Sequence, residues 1–198
     1  NKVVVNYVNA TDVKGYAAVG TVSGTSISFG TPVEWEAGNT RWTATTFDSN
    51  SNKVIVAGTD QSNSNYGTAR VGTVSGTSIS FGTAVVYESA STLYTAATFD
   101  STNNKVIIAY VDDGNNSRPT AIVGTVSGTD ISFGTAVEIS TENNTNSLQR
   151  GLAFDSTNGK VLATYAAGGQ SGSNVQFKSA VGTVSGTSIS FGDQVTID

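Results

Sequence analysis

The stretch Val19-Gly20-Thr21-Val22-Ser23-Gly24-Thr25-Ser26-Ile27-Ser28-Phe29-Gly30 decides how the rest of this chain is read. It recurs from Val71, Val123 and Val181, with Asp130 in the third copy where the others carry Ser26, Ser78 and Ser188. Successive copies start 52, 52 and 58 residues apart. Self-similarity at such a period marks an array of one supersecondary unit, repeated because a single unit cannot bury its apolar faces alone. The fold is therefore that of one unit and its neighbours.

Inside the signature, Ser23-Gly24, Ser75-Gly76, Ser127-Gly128 and Ser185-Gly186 each separate two apolar-patterned runs. Gly at that point supplies the positive φ of a tight hairpin. The run before it, strand c, begins near Gly15, Gly67, Pro119 and Phe177. The run after it, strand d, alternates: Ile27, Phe29, Thr31, Val33, Trp35, then Ile79, Phe81, Val85, Tyr87. The later copies read Ile131, Phe133, Val137, Ile139 and Ile189, Phe191, Val195, Ile197, and period two means one buried face. Gly30 and its equivalents mark a bulge or the close approach of a neighbouring strand.

Ahead of strand c lies strand b: Asn1–Tyr7, Asn52–Gly58, Asn104–Tyr110 and Gly159–Tyr165, led by Lys2, Lys53, Lys105 and Lys160. Val54-Ile55-Val56 and Val106-Ile107-Ile108 are apolar on both parities, which predicts burial of both faces. Polar b–c loops follow at 9–14, 60–65, 112–118 and 167–174, and these differ most between copies. Strand a, at Thr43–Asp48, Thr95–Asp100 and Gly151–Asp155, is built of small residues and reached by a variable connection. Its turn into strand b, such as Asp48-Ser49-Asn50-Ser51-Asn52, carries residues whose side chains bond to nearby backbone.

One unit is thus four antiparallel strands, and the fold class is all-β. Within a single repeat domain 1–198, the units run approximately 1–38, 39–90, 91–142 and 143–198. The units read as β-propeller blades, four of them, the first lacking its strand a; the alternative is an extended β repeat array. The propeller is favoured because small residues suit a crowded centre and a doubly apolar strand suits burial between blades. Ring closure would need a strand a from a continuation or from another chain. The chain opens at Asn1, which reads as a processed product or a piece of a longer polypeptide.

Net charge is −5 and the ten Lys and Arg are scattered, an arrangement opposed to nucleic-acid binding and to an electrostatic membrane patch. Cys is absent, which excludes disulfides and thiolate metal sites, and His is absent, which removes the commonest general base. No apolar run nears the ~20 residues of a membrane-spanning helix. Only 13% of residues are charged, with Ser, Thr, Asn and Gly supplying the surface polarity, a balance associated with exported and virion proteins.

The signature, with Phe-Asp-Ser-x-x-x-Lys-Val upstream of it, resembles repeats in large proteins of phages and aquatic microbes. The resemblance covers essentially the whole chain. It implies propeller-like repeats of virion appendages or secreted surface proteins, with a structural or adhesive role, and it names no target.

Asp48, Asp100 and Asp155 recur identically, as turn caps near the following Lys would; a catalytic carboxylate would differ between units. Asp112-Asp113-Gly114-Asn115-Asn116 holds weak Ca²⁺ candidates, Asp112 and Asp113, without the full spacing of a calcium loop. Trp35 and Tyr87 align with Ile139 and Ile197, a core position. Trp42 and Tyr94 align with Gln149; flanked by Arg41, Asn39, Arg150 and Asn146, they form a rim for stacking sugar rings or pack the d–a connection. Tyr66 and Arg118 are weaker ligand candidates in the b–c loops. Glu34, Glu36, Glu88, Glu138 and Glu142 read as solvent-facing ends of strand d rather than a hydrolytic pair.

The sequence therefore predicts no enzyme, no cofactor and no metal. The expected role is a structural or adhesive repeat domain of an extracellular or virion-associated assembly, with copies of itself, other assembly proteins or surface glycans as partners. A carbohydrate-binding propeller is the alternative, and a non-catalytic fragment of a polysaccharide-active enzyme the third reading.

Overall fold

The computed structural model describes residues 2–142, 151–167 and 175–197. Over those residues the chain is all-β, with a single 3-10 turn at Asp113–Asn115. The first unit is β1 (Lys2–Val8), β2 (Gly15–Ser23), β3 (Ser26–Phe29) and β4 (Val33–Glu36). The second is β5 (Thr40–Asp48), β6 (Lys53–Asp60), β7 (Tyr66–Ser75), β8 (Ser78–Phe81) and the front of β9 (Val85–Asp100). The third takes the back of β9, then β10 (Lys105–Asp112), β11 (Arg118–Ser127), β12 (Asp130–Phe133) and β13 (Val137–Glu138). The fourth is β14 (Gly151–Asp155), β15 (Lys160–Ala167), β16 (Gln176–Ser185), β17 (Ser188–Phe191) and β18 (Val195–Thr196).

Units two to four pair antiparallel in the order a-b-c-d and the first in the order b-c-d, so the hairpin reading of the signature holds. Its turn glycines, Gly24, Gly76, Gly128 and Gly186, lie at φ between 58° and 64°. Strand d is broken in the middle: Gly30, Gly82 and Gly134 each turn the backbone N–H onto Val19, Val71 and Val123 at 2.9 Å. The same glycines are points of close approach. A Cβ on Gly82 would stand 3.0 Å from the carbonyl carbon of Thr129, in the next unit's c–d hairpin, and nearer still to its oxygen. Gly30 meets Thr77, and Gly134 meets Thr187, in the same way.

The expected variable connection between strands d and a differs in the second unit. β9 runs unbroken from Val85 to Asp100, serving as strand d of one unit and strand a of the next, and joins them in a nine-stranded sheet. Register shifts at Tyr66/Gly67, Gly67/Thr68 and Ala109/Val111 give the extra twist that one strand needs to serve both partners. Strand b also runs one or two residues further than expected, to Val8, Asp60, Asp112 and Ala167.

The core lies between units. Val54 and Val56 pack with Ala17, Val19 and Trp35 of the first unit, whereas Ile55 and Ala57 pack with Val106, Ile108 and Tyr110 of the third. Ile107 points the opposite way, into a third cluster with Val161, Ala163 and Tyr165 of the fourth unit. The doubly apolar strand b is thus buried on both faces because each parity belongs to a different neighbour. Trp35, Tyr87 and Ile139 are buried as expected. Ile197 is 60% exposed, because that position is covered by the following unit and the fourth has none among the described residues. The main contacts between units join successive ones, and no ring closes among the described residues.

Phe47 and Phe99 occupy the same place in strand a, yet Phe99 packs against the cluster joining units two and three while Phe47 is 52% exposed. Phe99→Ala should therefore lower stability by about 2–3 kcal/mol and Phe47→Ala by less than about 1 kcal/mol in urea denaturation. Equal effects would contradict this packing.

Candidate ligand-binding rim

Strands alternate in direction, so the b–c loops and d–a connections gather at one edge of the array, opposite the signature hairpins and the a–b turns. Backbone hydrogen bonds tie this edge together. Thr40 N donates to Val13 O at 2.8 Å, and Thr92 N to Asn65 O at 3.0 Å, linking the start of each strand a to the preceding b–c loop.

Trp42 and Tyr94 are placed there by a repeated bulge. β5 pairs Arg41 with Thr59 and next pairs Ala44 with Ala57, so Trp42 and Thr43 stand opposite Gly58. β9 repeats this: Leu93 pairs Val111 and Ala96 pairs Ala109, leaving Tyr94 and Thr95 opposite Tyr110. The first bulge residue takes the left-handed conformation, φ 48° at Trp42 and 53° at Tyr94, a region that bulky side chains seldom occupy. No glycine marks the position, so sequence patterning missed it. The bulge turns both rings to one side, where their centroids are 5.1 Å apart at 52°, and Arg41 Cζ lies 5.9 Å from the Trp42 ring centre. Beside Trp42 is a hollow of about 270 Å³ lined by Val8, Val13, Asn39, Thr40, Arg41 and Gln61. The aligned Gln149, Arg150 and Asn146 lie outside the described residues.

Beneath the pair runs a buried polar network. Tyr110 Oη donates to Glu88 Oε2 at 2.8 Å, and Tyr87 Oη and Thr95 Oγ1 lie 3.1 Å apart. Burial pushes the Tyr87 phenol up to about 12, and burial with the Glu88 carboxylate drives Tyr110 well above the ordinary range. Both phenols stay neutral at physiological pH and serve as fixed hydrogen-bond donors or acceptors. Thr59 Oγ1 bonds to Thr92 O at 2.8 Å, closing the network towards the second unit.

The other candidates are scattered and engaged. Tyr66 opens β7 opposite Ser91, half-buried, its N–H on Asn63 O at 2.9 Å. Arg118 forms an ion pair with Glu138 at 2.8 Å, which holds the Glu138 carboxyl below its usual range. Asp112 caps the 3-10 turn by accepting from Asn115 N at 3.1 Å, and burial raises its carboxyl. Asp113 accepts from Ser117 Oγ at 2.8 Å. Among the described residues no three acidic side chains gather as metal ligands.

The strand-d acids are less uniform than expected. Glu34 and Glu138 do form ion pairs near the surface, but Glu36 is buried, its Oε1 accepting from Ala37 N at 3.0 Å. Glu88 is half-buried under Tyr110, because the bend of strand d at the bulge turns it inward.

The recurring acids are turn caps. Asp100 Oδ1 accepts from Thr102 N and Asn103 N, both at 2.9 Å, and Asp48 and Asp155 do the same in their own turns. In Asp155 these donors hold the carboxyl below its ordinary range by favouring the charged form. The expected neighbourhood of Asp and Lys holds in the register, where Asp48, Asp100 and Asp155 pair with Lys53, Lys105 and Lys160, but the ammonium groups bond elsewhere. Lys53, Lys105 and Lys160 each reach across to strand c and donate to Thr73, Thr125 and Thr183 at 2.8 Å, their cross-strand partners in the signature. Asp100 is fully buried, so Asp100→Ala should cost about 1–3 kcal/mol by stranding two backbone donors, as read from the urea midpoint.

No protein-family model, curated protein or solved structure matches this chain in comparisons with known proteins. Among the described residues no helix is long and apolar enough to cross a membrane.

Proposed function

We propose that this chain is a non-enzymatic structural or adhesive repeat domain of an extracellular or virion-associated assembly. The observation that carries the reading is the use made of the repeated residues. The signature glycines receive the next unit's hairpin, the repeated Asp cap turns, and the repeated Lys bind the signature Thr. Everything named here that recurs serves the fold of the unit or its stacking, the properties wanted of a spacer or attachment arm built from blade-like units. A propeller that closes with further units uses the same unit-to-unit packing. Labelling intact source particles and cells with antibody to the array tests the reading: staining confined to their interior overturns it, as does release of reducing sugar from any polysaccharide by the purified chain.

A second reading, glycan binding at the rim, draws on the Trp42–Tyr94 bulge and the hollow beside it. An aromatic face flanked by Asn39, Arg41 and Gln61 offers the apolar surface and hydrogen-bonding groups that a sugar ring uses. Trp42→Ala should abolish any signal on a glycan array with the fold intact by circular dichroism; a retained signal places the site elsewhere.

A further inference from the structure

We infer that the open edge of β1 is a binding site for one extended segment of the array's own strand-a type, contributed by a repeat unit outside these four. β6, β10 and β15 each pair with a strand a on one side and a strand c on the other, whereas β1 pairs with β2 alone among the described residues. The face of β1 is open as well: Val3 and Val5, at the positions of Val54 and Val56 that the preceding unit covers in β6, are 41% exposed.

The same place holds the larger cavity. A groove of about 680 Å³ runs between Lys2, Val3 and Val4 on one side and Thr45, Thr46 and Phe47 on the other. In units three and four, strand a rests against strand a of the preceding unit, and Phe99 and Phe154 are covered there. Phe47 faces the groove instead and stays exposed, and the buried Thr45 Oγ1 finds no hydrogen-bond partner among the described residues.

The array itself states what fits. The three resident strands read Thr43-Ala44-Thr45-Thr46-Phe47-Asp48, Thr95-Ala96-Ala97-Thr98-Phe99-Asp100 and Gly151-Leu152-Ala153-Phe154-Asp155: small side chains apart from Leu152, then Phe, then Asp. Small residues are required because strand a is packed from both sides by its neighbours. A guest in the same antiparallel register hydrogen-bonds to the free edge of β1 and lays its small side chains over Phe47. A second copy of this chain is a poorer occupant, because its described strands a are already paired to their own strands b.

The test uses the whole 198-residue chain and a labelled synthetic peptide of the sequence of residues 43–51. A scrambled peptide and one with Pro at the Thr45 position serve as controls. Saturable binding of the first peptide alone, with amide exchange over Lys2–Val8 slowed about tenfold or more, is the expected result. Equal binding of the controls, or absent binding to a chain shown folded by circular dichroism, overturns it. So does a dimer in sedimentation whose β1 amides are protected before peptide is added, because the edge then belongs to self-pairing.

Discussion

Gly82→Ala should destabilise the array by about 3 kcal/mol, whereas the same change at Gly192 should shift stability by no more than about 0.5 kcal/mol. Both glycines hold the same place in the signature, and both turn their N–H onto the first Val of their own copy, at 2.9 and 3.0 Å. They differ only in what stands outside. At Gly82 the added methyl enters the carbonyl of Thr129, which is backbone and is held in a hairpin, so the neighbouring unit must move as a body. At Gly192 the nearest atom is Val181 O at 3.8 Å, an ordinary contact. Urea midpoints of the two variants measure the unit-to-unit interface directly. Equal effects would mean that the glycine serves its own turn and that the stacking has been misread.

Trp35→Ala should cost about 3–5 kcal/mol. The indole is almost fully buried between the first unit and Gly58 of the second, and no Cβ fits on Gly15 while it is there: the nearest indole carbon would be 2.6 Å away. Its Nε1 donates to Asn6 Oδ1 at 2.8 Å, and the Asn6 amide in turn donates to Ala44 O at 3.0 Å. Removing the ring opens a cavity and frees one end of a bridge that ties β1 to β5. Trp35→Phe keeps most of the packing and loses the hydrogen bond, so the gap between the two variants separates the contributions. A loss below about 1 kcal/mol for Trp35→Ala would show that the first unit is loosely attached.

Much of the unit was legible because its determinants are local. The Ser-Gly of the hairpin, the Asp of the a–b turn and the alternation of strand d each act within a few residues, where side-chain and backbone preferences leave a fixed pattern. The two parities of strand b also announced their burial, since Val54-Ile55-Val56 has no face that water would tolerate. The rim was only half legible. Trp42 and Tyr94 could be paired by alignment, but the bulge that aims them leaves no mark in sequence: it comes from the register of strand a on strand b. The closeness of Asp48 and Lys53 was legible, and they are register partners, but the bond from Lys53 to Thr73 was not, because it is made across the sheet to strand c.

The sequence by itself determined the unit, its strand order, its turns and the fact that its apolar faces must be covered by copies of itself. The tertiary structure decided which parity meets which neighbour, that strands d and a fuse at β9, and that the glycine after each Phe is a socket for the next hairpin. It also decided where that stacking leaves surface open, at β1 and at Ile197. The reason is range. Local propensities write themselves into neighbouring residues, whereas an interface between units is specified jointly by residues some fifty positions apart, and no single stretch of the signature contains both halves.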